Sequence, residues 1–287
     1  MAAAAIAGSV RDALGGATDA LVAVGVESPR LDAELLLAEA IGWDRAKLAA
    51  EPEGGVPAPA ARRFGEMVRR RLRREPVAYI LGRRGFRRIE LQVDRRVLIP
   101  RPETELLVEL ALELAPRRVL DVGTGSGAIA LAIADELPGC ELIATDVSAP
   151  ALEVARANAA LLGLTERVEL VEATLPAGLG EFDLVVANLP YVAESEWGGL
   201  EPEVTQWEPR EALLAGPDGL DAIRALLAAE RVRRLSRIGR QKANAVALEV
   251  GEGQAPAVGE LMQQAGFRAV STHRDLAGIE RVVVGRP

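Results

Sequence analysis

The 287-residue sequence predicts an α/β fold: a mostly parallel sheet covered by helices on both faces, a small helical module ahead of it, and a β-hairpin joining the two. Three observations predict this. From about Thr104 onward, short apolar β-prone runs alternate with segments of helical periodicity, as in sheets built from strand–helix–strand units. The first sixty or so residues repeat apolar positions at helical spacing only. Between these regions, Val77 to Ile99 alternates in the manner of strands, with Gly82 and Gly85 as punctuation.

In chain order, Ser28-Pro29 opens a helix whose apolar stripe includes Leu31, Leu35, Leu36 and Ala38. Glu51 to Pro59, with three prolines and two glycines, reads as a loop, and a helix runs from Ala60 to about Arg74, ahead of Pro76. The expected division is a helical substrate-recognition domain at 1–75, a hairpin linker at 76–103 and a catalytic domain at 104–287. In the last of these, strands are expected at Arg118–Val122, Glu141–Thr145, Arg167–Val171, Phe182–Ala187 and Ala245–Val250, with two more near Arg268 and Arg281. Helices are expected at Ala128–Glu136, at Pro150–Leu162, from about Leu220, and through Ala265.

Composition narrows the chemistry. No uninterrupted apolar run reaches the ~18 residues of a membrane helix. The Ala-rich start, Met1 to Ala7, lacks a basic region and is broken by Gly8 and Ser9, so neither membrane association nor a secretory signal is expected. Cys140 and His273 are the only residues of their kinds. An internal disulfide, a cysteine-cluster metal site and a Ser-His-Asp triad are therefore not expected, and a reducing, cytoplasmic setting is. The net charge of −8 argues against stable nucleic-acid binding. Yet Arg62 to Arg88 holds eleven arginines against Glu66 and Glu75. This is either a solvated helix face and hairpin or a docking surface for an acidic partner.

Ligands of such sheets bind beyond the carboxyl ends of the strands. There, Asp121-Val122-Gly123-Thr124-Gly125-Ser126-Gly127 marks a strand-to-helix turn in which backbone approaches a ligand closely. Gly123, Gly125 and Ala128 also satisfy a dinucleotide fingerprint. Asp121 discriminates: its carboxylate would repel a pyrophosphate but welcome the ammonium group of S-adenosylmethionine. Asp146, ending the next strand, suits ribose hydroxyls of either cofactor, although a strand-end aspartate also caps helices. Asn188-Leu189-Pro190-Tyr191 ends the fourth strand. An amide nitrogen is a poor nucleophile, and a site that accepts both its N–H groups can orient it toward a methyl donor. The Asn188 side-chain carbonyl and the Leu189 main-chain carbonyl are the candidate acceptors, Pro190 holds Leu189 extended, and the Tyr191 ring is a surface for stacking. The bland reading of these four residues is a strand-terminating turn.

These motifs resemble those of the protein-(glutamine-N5) methyltransferases that modify peptide-chain release factors. The resemblance spans Pro76 to Gly82, Val97 to Glu105, Asp121 to Ala130, Glu203-Val204 with Glu208-Pro209, Asp218 to Asp221, and Asp275 to Gly278. Arg101 to Glu105 separates this group from sister enzymes acting on a ribosomal-protein glutamine. The resemblance implies a seven-stranded, Rossmann-like methyltransferase sheet behind a helical N-terminal domain, with class I release factors as partners and the glutamine of their Gly-Gly-Gln loop as acceptor. It further implies that Gly123 to Gly127 and Asp146 hold S-adenosylmethionine, leaving S-adenosyl-L-homocysteine as product, with no metal, and that Asn188 to Tyr191 hold the glutamine amide. A monomer is expected.

The sequence departs from the family pattern in three places. Leu189 stands where the family has Pro, and Thr174 replaces an acid after the third strand, leaving Leu175 and Glu172 as candidates to contact the adenine. The arginine-rich segment from Arg231 to Lys242 fits the pattern poorly. Three other readings stay open: an adenine-N6 methyltransferase acting on DNA or RNA, an inactive S-adenosylmethionine-binding relative, and a nicotinamide-dependent oxidoreductase.

Overall fold

The computed structural model describes residues 6–174, 181–229 and 244–287. The chain forms two compact units, one of Met1–Gly82 with Pro202–Trp207, the other of Arg83–Glu201 with Glu208–Pro287.

In the first unit, β1 (Ile6–Ser9) pairs antiparallel with β2 (Gly55–Pro57). The expected loop at 51–59 thus carries a short strand. Gly55 permits it, since a β-carbon there would lie 2.7 Å from Ile6 Cδ1. Helices α1 (Val10–Ala23), α2 (Pro29–Ile41), α3 (Arg45–Ala50), α4 (Ala58–Arg71) and α5 (Val77–Leu81) surround a core that includes Leu14, Leu21, Leu36 and Leu37. The side chains of Ser9 and Asp44 cap α1 and α3 by accepting from the amides of Asp12 and Lys47. Val77–Leu81 is a helical turn, not the first part of a strand. Pro76 precedes it, and Gly82, with φ of 73°, closes it by donating to the Ala78 carbonyl. Five residues between Pro and Gly are too few for alternation to separate one helical turn from a strand.

The hairpin proper opens the second unit as β3 (Arg83–Phe86) and β4 (Ile89–Gln92). Next come α6 (Glu105–Leu114), β5 (Arg118–Val122), α7 (Ala128–Glu136), β6 (Glu141–Asp146), α8 (Ala149–Leu161), β7 (Val168–Glu172) and β8 (Leu184–Ala187). The unit ends with α9 (Asp221–Ala228), β9 (Ala245–Glu249), α10 (Ala255–Gln264), β10 (Ala269–Arg274) and β11 (Glu280–Arg286). The seven-stranded sheet has the order β10-β11-β9-β8-β5-β6-β7. Strands β5 to β9 run parallel, and β11 lies antiparallel to both β9 and β10. Both faces are covered: Leu107, Leu131 and Ile133 belong to one core, Ile223, Val258 and Met262 to the other. Strands β8 and β9 are buried along their whole length, which explains their continuous apolar sequence. The strand order reverses between β5 and β8, so their carboxyl ends flank the crevice where such folds take ligands.

Candidate active site

A cavity of about 280 Å³ opens in the second unit at the carboxyl ends of β5, β6 and β8. Gly123 and Gly125 form its floor, Asp146 and Val147 one wall, and Asn188, Leu189 and Pro190 another.

The glycine turn is held from below. Amides of Gly123 and Thr124 both donate to the Thr145 carbonyl, at 2.8 and 2.9 Å. Gly123 has φ of 76°, and a β-carbon there would come within 3.2 Å of Leu189 Cδ2. Glycine is thus favoured by backbone conformation, and a β-carbon would also press on the leucine lying over it. The Leu189 side chain packs on the turn, an apolar contact that follows from this departure from the family pattern.

Asp121 lies beneath the turn and is fully buried, not on the cavity wall. Its Oδ2 accepts from Thr124 Oγ1 at 2.6 Å and from the Ala130 amide at 3.3 Å. Its Oδ1 is buried without a partner among the described residues. Burial pushes its pKa up to about 7, against the lowering effect of the Thr124 and Ala130 hydrogen bonds. Asp146 does reach the cavity, accepting from the Gly125 amide through Oδ2 and from the Ser148 amide through Oδ1, both at 2.9 Å. It therefore clamps the glycine turn, and each oxygen keeps a lone pair for another donor. Thr124 and Ser126 are buried within the turn. Ala173 and Thr174 line the cavity, and Leu175 lies outside the described residues.

At the acceptor side, Asn188 Nδ2 donates to Thr104 Oγ1 at 3.1 Å, leaving Oδ1 without a partner among the described residues. The Tyr191 carbonyl accepts from Gln254 Nε2 at 2.9 Å, and burial, with the nearby Glu249 carboxyl, pushes the Tyr191 phenol up to about 12. Tyr191 is therefore a neutral surface at ordinary pH. The arrangement provides a glycine-floored pocket ending at an amide carbonyl, with two carboxylates at the strand ends. Among the described residues, no group of three or more His, Cys, Asp or Glu side chains is placed to hold a metal ion.

Two families match this chain: PrmC N-terminal domain over residues 12–82 and Methyltransferase small domain over residues 102–200. A protein of Caulobacter vibrioides named release factor glutamine methyltransferase is 42% identical over 275 residues, covering 94% of this chain and 93% of that one. The Xylella fastidiosa protein of the same name is 44% identical, with coverage of 93% and 97%. This chain belongs to the release factor glutamine methyltransferase family. Its likeness to the catalytic domain of hMettl16, solved with an RNA hairpin, is one of fold alone. The identity is 16%, the TM-score 0.55, and the coverage 68% of this chain and 75% of that one.

Within this family member, several supporting residues escape sequence reasoning. Buried Asn158 on α8 donates to the carbonyls of Gln92 and Ser126 and accepts from the Gln92 amide, tying the glycine turn to β4. Glu208 accepts from the Ile99 amide at 3.0 Å and pairs with Arg101, fixing the segment that carries Val97 and Leu98 onto the cavity wall. Glu208 and Arg101 stand in motifs that carry the resemblance, but they pair across 107 residues of sequence, which leaves no local signal.

Proposed function

We propose that this chain transfers a methyl group from S-adenosylmethionine to the side-chain amide N5 of the glutamine in the Gly-Gly-Gln motif of class I release factors. Family membership supports this reading over the nucleic-acid and nicotinamide alternatives, and the Asn188 carboxamide is the observation that carries it. With Nδ2 engaged by Thr104, the carbonyl is the free end, so the site offers an acceptor to an N–H group.

The residues present fit the cofactor. Gly123 admits close approach, Asp146 has acceptor capacity at the cavity wall, and Asp121 Oδ1 is a buried carboxylate oxygen awaiting compensation. The cavity is near the lower end of the range usual for small-molecule sites, about 300–1,000 Å³. When bound, S-adenosylmethionine supplies an electrophilic methyl group and leaves as S-adenosyl-L-homocysteine. Gly123 to Gly127 and Asp146 would hold it, Asp146 through ribose hydroxyls, with the charge of Asp121 favouring its ammonium group; Leu175 is the candidate for the adenine. Asn188 Oδ1 and the Leu189 carbonyl accept the two N–H groups of the glutamine amide, while Pro190 and Tyr191 present the surface on which the planar group lies. The proton leaves the amide nitrogen after transfer, so the residues contribute orientation and proximity rather than a general base. The reaction uses no metal, no nucleic acid and no membrane, and a single copy of the chain suffices. The acceptor places it in the cytoplasm.

The test is incubation of the protein and labelled methyl donor with a purified, unmethylated class I release factor, followed by mass spectrometry of the Gly-Gly-Gln peptide. One added methyl on the glutamine is the expected result. An unmodified peptide after extended incubation refutes the proposal.

A further inference from the structure

The side chain of Gln254, beside the acceptor end of the site, is engaged at both ends. Its Nε2 donates to the Tyr191 carbonyl and its Oε1 accepts from the Gly251 amide, both at 2.9 Å. Turning this carboxamide over would set its NH₂ group against an N–H and its oxygen against a carbonyl, so the orientation is fixed. The stem is held as well. Gln254 directly precedes α10, and its main-chain carbonyl accepts from the Val258 amide at 3.0 Å. The Val250 amide donates to the Arg281 carbonyl at 2.8 Å, which ties the segment between β9 and α10 to β11.

Both bonds bear on Tyr191. The first holds its main chain. The second holds Gly251, close to which the Tyr191 ring lies: a β-carbon on Gly251 would be 3.2 Å from Tyr191 Cδ2 and 3.0 Å from Gln254 Oε1. Gly219 approaches the same contact. With φ of 74°, its β-carbon would lie 2.2 Å from the Tyr191 carbonyl oxygen and 2.8 Å from Gln254 Nε2. Two glycines thus leave room for one amide–carbonyl contact. We propose that Gln254 is the positioning residue of Tyr191, fixing through a single carboxamide both the main chain at the acceptor strand end and the ring on which the acceptor amide lies. This rests on the amide-clamp reading above, and it adds to the acceptor site a residue 63 positions away from Tyr191.

Displacing the ring or the strand end by about an ångström would misplace the acceptor nitrogen against the methyl donor, a loss of about a hundredfold in rate. Gln254 is not among the residues lining the cavity, so its removal should appear in kcat and leave donor affinity unchanged. Gln254→Glu separates the two bonds. The carboxylate still accepts from the Gly251 amide, but while ionised it has no proton for the Tyr191 carbonyl and sets oxygen against oxygen. Once protonated, it can donate to that carbonyl again. Activity of this variant relative to the wild type should therefore rise as pH falls through the pKa of the introduced carboxyl. Glu249, Arg101, Arg281 and Glu103 are the charged groups that act on Tyr191; all four are present in both proteins, so their titration enters the two profiles alike.

Two experiments test the proposal. The first follows Tyr191 in the free protein. Tyr79 and Tyr191 are its two tyrosines, so ¹³C labelling of the tyrosine carbonyl gives two signals, assigned with Tyr79→Phe. The Tyr191 signal should move in Gln254→Met, and in Gln254→Glu it should titrate toward its wild-type position as pH falls. A Tyr191 signal that is the same in the wild type and both variants overturns the proposal. The second measures kcat against pH at saturating methyl donor and release factor. Gln254→Met should lower kcat by about a hundredfold throughout, with donor affinity by calorimetry unchanged. In Gln254→Glu the ratio of kcat to that of the wild type should rise along the same titration as the Tyr191 signal. Full kcat in Gln254→Met overturns the positioning role, and so does a Gln254→Glu ratio that stays constant while the Tyr191 signal titrates. Because the carbonyl signal needs neither donor nor acceptor, it decides whether Gln254 holds Tyr191 even if no release factor is methylated, an outcome that would refute the proposed function alone.

Discussion

Replacing Asp121 by Asn separates cofactor affinity from stability, because the buried carboxylate serves the first at the expense of the second. Burial moves its pKa from 3.8 to about 7 in the free protein. A shift of roughly three units is worth about 4 kcal/mol at 1.36 kcal/mol per unit. The sign follows from proton linkage. A folded-state pKa above the unfolded one means that the folded protein holds its proton more tightly. The wild type therefore loses stability as pH rises from 3.8 toward 7, and the loss is complete above that. The asparagine side chain of the Asp121→Asn variant cannot ionise and escapes it. Its carbonyl can still accept from Thr124 Oγ1 and the Ala130 amide, but its NH₂ group falls where Oδ1 of Asp121 lacks a partner. The additional unpaired N–H costs about 1–3 kcal/mol. What remains is a gain of about 1–3 kcal/mol above pH 7 and a loss of similar size near pH 4. Urea unfolding without donor, at one pH on each side of the transition, measures the reversal. Calorimetry measures the other half: donor affinity should fall by roughly 1.5–3 kcal/mol as the charge is lost. A variant less stable than wild type at both pH values refutes the assignment of a strained, ionisable Asp121. Unchanged donor affinity refutes its part in the cofactor site.

Asn188→Ala should raise the barrier by about 2.7–4 kcal/mol in single-turnover methylation, with donor affinity retained; Asn188→Asp, which still accepts hydrogen bonds, should keep partial turnover. Leu189→Pro preserves the main-chain carbonyl but removes the side chain packed over Gly123; it should leave turnover equal or modestly higher, and total loss would show that the leucine contact is needed. A β-carbon at Gly219, where φ is 74°, would lie 2.2 Å from the Tyr191 carbonyl oxygen, so Gly219→Ala should displace Tyr191 and lower kcat with the donor site intact, as calorimetry would show. Arg71→Met leaves Asp32 and Glu203 without their shared buried cation and should destabilise the helical unit by about 3–5 kcal/mol in urea unfolding.

Local chemistry announces itself in this sequence, and distant pairing does not. The glycine turn and the parallel strands are legible because backbone conformation and burial impose strong residue preferences on contiguous runs. Strands β8 and β9 read as apolar runs because both faces are buried. The hairpin is legible in outline, while α5 reads as strand because a single helical turn carries too little periodicity. Asp121 is recognisable as a carboxylate at a strand end, but not as one beneath the turn rather than on the cavity wall. That depends on the direction of one side chain. The Asn158 and Glu208 contacts are not legible at all. Asn158 meets Gln92 across 66 residues and Glu208 meets Ile99 across 109. No spacing rule links such positions.

The arginine stretch shows the same limit in its electrostatics. A run with eleven arginines and two glutamates has the composition of a docking surface, yet the acids that neutralise it come largely from elsewhere in the chain. Arg63 pairs with Glu39, Arg70 with Glu75, and Arg71 with Asp32 and Glu203; Arg74 also holds Glu203. Glu203 belongs to the helical unit although it lies 129 residues beyond Arg74, and the two arginines hold its pKa down against the effect of burial. In the hairpin, Arg87 sits at φ of 51° and pairs with Glu109 and Glu136. These arginines hold their units together. Reversing Arg70, Arg71 and Arg74 together would therefore place like charges against Glu75, Asp32 and Glu203 and disrupt the helical unit before it tested docking. A docking experiment belongs instead at the half-exposed Arg70 alone, with the lysine variant as control: Lys keeps the charge while losing the two-pronged bond to Glu75. If charge attracts the release factor, Arg70→Gln should raise its KM and Arg70→Lys should not; equal KM values in both variants and the wild type would assign Arg70 to structure alone.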